Sequence, residues 1–159
     1  MPVRILIADD HEVVRQGIRT ILTSRPDWEI CGEAVNGQEA VKLAGELHPD
    51  AIIMDITMPV MSGLEAARQL TRTHGAPPIL IFTMHESRSL ADSVRETGAR
   101  GFVFKSRAAR DLIQALEILL KGGTYFGAHS EKLSAAKETP NRGISFLRAL
   151  ELVRDLALG

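Results

Sequence analysis

Four short runs of consecutive apolar residues constrain this chain most: Ile5-Leu6-Ile7-Ala8, Ala51-Ile52-Ile53-Met54, Ile79-Leu80-Ile81-Phe82 and Phe102-Val103-Phe104. Each is rich in β-branched or aromatic residues and flanked by polar or turn-forming ones. A run without alternation has no polar face to turn to water, so it suits a strand covered on both sides, as in a parallel sheet. Trp28 to Val35 differs. It reads as Trp28, Ile30 and Ala34 on one face and Glu29 and Glu33 on the other, a half-exposed edge strand whose charges oppose edge-to-edge pairing.

Helical patterns fill the intervals. Val14, Ile18, Ile21 and Leu22 share a face, as do Ala40, Leu43, Ala44 and Leu47. Asn36-x-x-Glu39 and Ser62-x-x-Glu65 read as capping boxes that open the second and third helices. The third should stop before Gly75 and Pro77-Pro78. A weaker pattern runs from Glu86 to Thr97 and ends at Gly98; the fifth carries Leu112, Ile113, Leu116, Leu119 and Leu120 and ends at Gly122-Gly123. Strand and helix thus alternate five times with short connections, which implies an α/β fold with helices on both faces of a parallel sheet. Residues 127–142 read as a linker. Residues 143–159 read as an amphipathic helical tail with Phe146, Ala149, Leu150, Val153, Leu156 and Ala157 on its apolar face.

Composition excludes several classes. The 159 residues are 45% hydrophobic and 25% charged, enough for a packed core and unlike a disordered or fibrous chain. A formal charge of −1 supplies no general attraction to nucleic acid or anionic lipid. The single cysteine, Cys31, excludes an internal disulfide and a cysteine-based metal site. The N-terminal apolar run is too short for a signal peptide or membrane span, so a cytoplasmic protein without membrane contact is expected.

In open parallel sheets, ligands bind beyond the carboxyl ends of the strands. Asp9 and Asp10 follow the first apolar run, Asp55 the middle one, Thr83 follows Phe82 and Lys105 follows Phe104. Singly, each has an ordinary reading: Asp10 as a helix N-cap, Asp55 as turn chemistry before Pro59, Lys105 as a solvated surface lysine. Jointly, three carboxylates, a hydroxyl and an ammonium on one rim point to chemistry. Carboxylates crowded together repel, and a hard divalent cation such as Mg²⁺ removes the conflict. Cation, ammonium and hydroxyl together receive a phosphoryl group, and Asp55 is placed to attack phosphorus.

These residues resemble a known family. Ile-Leu-Ile-Ala-Asp9-Asp10-His11, Ile-Ile-Met-Asp55-Ile-Thr-Met-Pro59 with Gly63, Ile-Leu-Ile-Phe-Thr83 and Gly-Phe102-Val-Phe-Lys105 are similar to the receiver domain of bacterial two-component response regulators, over about residues 3–126. Asp-Asp-His and Gly-Gly-Thr-Tyr-Phe look most like the LuxR-type (NarL-like) branch. The resemblance implies a flavodoxin-like (βα)5 doubly wound sheet of strand order 2-1-3-4-5, an order for which a receiver protein is a standard example. It implies that Asp55 accepts a phosphoryl group from a sensor histidine kinase. Asp10, Asp55 and the carbonyl of Thr57 would hold Mg²⁺, and Asp9 would complete the acidic pocket. Thr83 and Lys105 would bind phosphoryl oxygens, and Phe102 would be the aromatic switch that changes the helix 4/strand 5/helix 5 surface for partner binding or homodimerisation.

Ser106 stands where many relatives carry a cis-proline, so a trans bond is expected. Met84 is expected to narrow access to the phosphoryl group. Thr57 and His85 are expected to flank the path of hydrolytic water. Phe102, lacking a hydroxyl, is expected to turn inward in part even without phosphate. After Phe126 only 33 residues follow, against about 60 for a LuxR-type DNA-binding domain. The near-neutral tail predicts no direct nucleic-acid binding by this chain. A natural single-domain receiver and a transcriptional regulator lacking its output domain both stay open. An aspartate-nucleophile phosphatase is disfavoured, because such enzymes carry a general-acid Asp where Thr57 stands. A P-loop enzyme is excluded by the absence of Gly-x-x-x-x-Gly-Lys.

Overall fold

The computed structural model describes residues 1–84 and 86–126. The linker and tail expected at 127–142 and 143–159, and His85, lie outside the described residues. The strands are β1 (Val3–Ala8), β2 (Trp28–Ala34), β3 (Ala51–Met54), β4 (Ile79–Thr83) and β5 (Gly101–Phe104). The helices are α1 (Glu12–Leu22), α2 (Gly37–Leu47), α3 (Gly63–Thr71), α4 (Leu90–Glu96) and α5 (Ala108–Leu120), the last preceded by a 3₁₀ turn at Lys105–Arg107. The sheet is parallel and ordered β2-β1-β3-β4-β5, the flavodoxin-like receiver topology.

The four apolar runs are buried strands, and their two faces feed two cores. Ile5, Ile7, Ile53, Leu80, Phe82 and Val103 pack under α1 and α5. Leu6, Ala8, Ile52, Met54, Ile79, Ile81, Phe102 and Phe104 pack under α2, α3 and α4. Each fully buried Ile or Leu stabilises the fold by about 1.5–3 kcal/mol. No helix among the described residues is long and apolar enough to cross a membrane.

The caps expected from sequence form. Asn36 Oδ1 accepts from the Glu39 N–H at 2.8 Å and Ser62 Oγ from the Glu65 N–H at 3.2 Å. Three local expectations change. Asp10 does not cap α1: the N-cap is His11, whose N–H donates to Asp9 Oδ1 at 2.9 Å. The helix expected from Glu86 begins only at Leu90, because Leu90 and Val94 are its buried anchors and the preceding Glu-Ser-Arg-Ser has none. The alternation of β2 breaks at a bulge: Ile5 pairs with Ile30 but Leu6 pairs with Gly32, leaving Cys31 as the extra residue. Ala34 therefore packs with the α2–α4 core, opposite the face that takes Trp28 and Ile30. Glu33 is carried to α1, where Arg15 and Arg19 pair with it.

The edge of β5 carries a feature that strand periodicity did not predict. Tyr125 lies parallel beside Gly101: its N–H donates to the Arg100 carbonyl at 2.9 Å, and its carbonyl accepts from the Phe102 N–H at 3.2 Å. The edge is thereby covered by the chain leaving α5.

Candidate functional site

The parallel sheet delivers Asp9, Asp55, Thr83 and Lys105 to one end of the molecule, because each follows or closes a strand that runs the same way. Neighbouring strands also fix their height. The Asp9 N–H donates to the Ala34 carbonyl at 3.0 Å, and the Asp55 N–H to the Ala8 carbonyl at 2.9 Å. Behind Asp55, Gly63 lies so close that a Cβ there would come within 1.7 Å of the Asp55 carbonyl oxygen. The loop from Asp55 is closed by the Gly63 N–H donating to the Ile56 carbonyl at 2.8 Å.

Lys105 is 4% exposed, which rules out a solvated surface lysine. Its Nζ lies 3.3 Å from Asp55 Oδ1 and 2.8 Å from Asp9 Oδ2, the latter an ion pair without the alignment of a hydrogen bond. The Lys105–Ser106 peptide is trans, as expected. Asp55 Oδ1 also accepts from the Ile56 N–H at 2.8 Å. Asp10 sits at the exposed rim, its Oδ1 3.1 Å from His11 Nδ1. Oxygens of Asp9, Asp10 and Asp55 and a nitrogen of His11 all fall within 4.8 Å of one another. Thr83 is fully buried at the end of β4. Thr57 is exposed in the loop after Asp55, and Met84 is half exposed just beyond Thr83.

Burial pushes the Asp55 carboxyl up to about 6, with the charge of Asp9 adding to the effect and the Lys105 ammonium opposing it. One ammonium does not balance the packed carboxylates. A bound divalent cation would, and the carboxylate oxygens of Asp9, Asp10 and Asp55 are the donors a hard ion takes.

Phe102 is buried on the α4 face of β5. Its ring meets Phe104 edge-on at 5.5 Å and Phe126 at 6.0 Å. Two residues at the site escaped sequence reasoning. Arg15, buried in α1, donates to the Asp9 carbonyl and pairs with Glu12 and Glu33. Its i, i+3 spacing from Glu12 was visible, but Glu33 reaches it only through the β2 bulge. His11 was visible as part of a motif, without a sign that its imidazole faces both aspartates.

A five-stranded parallel sheet of order β2-β1-β3-β4-β5, with an acidic cluster and a buried lysine at its carboxyl end, defines a flavodoxin-like α/β domain with a charged site on its rim. The family model for the response regulator receiver domain matches residues 5–117, and the chain belongs to that family. The transcriptional regulatory protein DegU of Brevibacillus brevis is 36% identical over 123 residues, 77% of this chain and 52% of that protein. YdfI of Bacillus subtilis, another transcriptional regulatory protein, is 40% identical over 119 residues, 75% of this chain and 55% of its own length. Among solved structures, a LuxR-family two-component response regulator from Aurantimonas sp. SI85-9A1 superposes with a TM-score of 0.77 at 36% identity, over 86% of this chain and 99% of that one. The chain spans about half the length of the curated relatives it matches.

Proposed function

We propose that this protein is switched by reversible phosphorylation of Asp55, with a sensor histidine kinase as donor. The observation that carries the reading is the buried Lys105 ammonium held between the carboxylates of Asp9 and Asp55 at the acidic rim. In the reaction an Asp55 carboxylate oxygen attacks phosphorus, the P–N bond of the donor phosphohistidine breaks, and the imidazole leaves and takes up a proton. Lys105 then balances negative charge on the transferred group, and the Thr83 hydroxyl bonds one of its oxygens. Asp10, Asp55 and the Thr57 carbonyl would hold Mg²⁺, with Asp9 completing the acidic pocket; when bound, the ion neutralises phosphoryl oxygens. Met84 and His85 govern access of hydrolytic water.

Phosphorylation adds about −1.5 to −2 charges. Thr83 is drawn toward them and Phe102 adjusts, which re-poses the α4–β5–α5 surface for a partner or a second copy. We assign residues 1–126 to the receiver, 127–142 to a linker and 143–159 to a C-terminal tail, and place this chain in the cytoplasm. Incubation with Mg²⁺ and acetyl phosphate tests the assignment by intact mass. One phosphoryl adduct is expected on wild type and none on Asp55→Asn; adduct formation on both variants sinks it.

A further inference from the structure

The segment that leaves α5 is built into the α4–β5 surface. Gly101 admits it: a Cβ there would stand 2.7 Å from the Tyr125 carbonyl oxygen and 3.0 Å from the Tyr125 backbone nitrogen. Tyr125 makes two backbone hydrogen bonds with the β5 edge, to Arg100 and from Phe102. Its side chain is buried with the α1–α5 core, while Phe126 is buried with the α2–α4 core. There Phe126 closes a row of rings, Phe104 to Phe102 to Phe126, and the Arg95 guanidinium of α4 stacks 4.3 Å from its centroid. Thr83 pairs in register with Phe104, and Phe102 with Ile81, so Thr83 and this row share one face of the sheet.

We propose that Phe126 is the contact through which the state of Asp55 reaches the C-terminal segment of this chain. The inference rests on the phosphoacceptor reading above and goes beyond it by naming the exit of the signal. A packed interior responds to a moved ring by repacking its neighbours. Phe102 cannot shift without changing its contact with Phe126, and Phe126 begins the chain toward residue 127. Because Tyr125 runs parallel to β5, the chain at Phe126 heads toward the same end of the sheet as Asp55 and Lys105. Arg95 caps the ring from the α4 side, so a change in α4 is felt at the same point. The coupling is reciprocal: whatever holds the segment after Phe126 alters the affinity of the site for a phosphoryl group.

The test uses the full chain with Mg²⁺ and beryllofluoride, a phosphoryl mimic, and follows backbone hydrogen exchange and probe affinity. In wild type, the probe is expected to slow exchange around Asp55 and to change it at least severalfold over residues 123–132. In Phe126→Ala, the probe is expected to protect Asp55 while leaving 123–132 unchanged, with its affinity shifted about fivefold. Phe126→Leu, which keeps the apolar bulk, should retain the coupling in part. Arg95→Ala, which leaves the ring row intact, should weaken the coupling without abolishing it, and serves if Phe126→Ala does not fold. Protection at Asp55 with no response at 123–132 in wild type overturns the coupling alone. No protection anywhere in wild type overturns the phosphoacceptor reading and the coupling with it.

Discussion

At Asp55 the cost of the site is legible in a single side chain. The carboxyl holds its proton to about pH 6 in the folded chain, against 3.8 for the free group. Between those values the native state binds more protons than the unfolded one, so stability falls as pH rises. The full benefit is present below pH 3.8, and the loss, up to about 3 kcal/mol, is complete once the pH passes well above 6. Asp55→Asn removes the charge and its burial. In metal-free buffer it should be more stable than wild type at pH 7.5, and the advantage should shrink toward zero as the pH falls to 4, followed by urea unfolding. An advantage independent of pH would refute this account of the shift. Val60 is a second strained position: it is 76% exposed and adopts φ +69°, a conformation costly for a β-branched residue. Val60→Gly loses little contact and relieves that strain, so a gain of about 1 kcal/mol in chemical denaturation is expected.

Elements place these residues through close backbone approaches. Gly63, the first residue of α3, lets that helix start against the Asp55 carbonyl. Gly63→Ala forces the helix away from β3 and should cost about 3 kcal/mol, with loss of adduct formation by acetyl phosphate. Unchanged melting and phosphorylation in that variant would show that the loop relaxes freely. The β2 bulge acts at the same scale. It reverses which face each later residue presents, and so brings Glu33 to Arg15 and Arg19 and seats α1 behind Asp9. The partners of Arg15 were illegible in the sequence because a bulge leaves no mark in the alternation of Trp28 to Ala34, whereas the capping of α2 and α3 was legible in Asn36 and Ser62 alone.

For the molecule as a whole, parallel topology gathers charges that the chain separates by dozens of residues. A divalent cation that binds only the folded state raises the midpoint of unfolding by mass action. Millimolar Mg²⁺ should therefore raise the melting temperature of wild type by several degrees, and that of Asp10→Asn or Asp55→Asn much less. Equal shifts in all three, read by calorimetry, would place the ion elsewhere.

The alternation of strand and helix, the two-sided burial of the sheet and the gathering of Asp9, Asp55, Thr83 and Lys105 at one rim were legible in the sequence itself, whereas the strand order followed only from the resemblance. Unbroken apolar runs leave a strand no polar face, and the residue after each run must emerge at the sheet's carboxyl end. What only the tertiary structure decided was who meets whom: Lys105 reaching both Asp9 and Asp55, His11 taking the N-cap position expected of Asp10, Glu33 crossing to α1, and Tyr125 and Phe126 closing the β5 edge. Such meetings depend on register, bulges and packing between segments remote in the chain, and local periodicity carries no record of them.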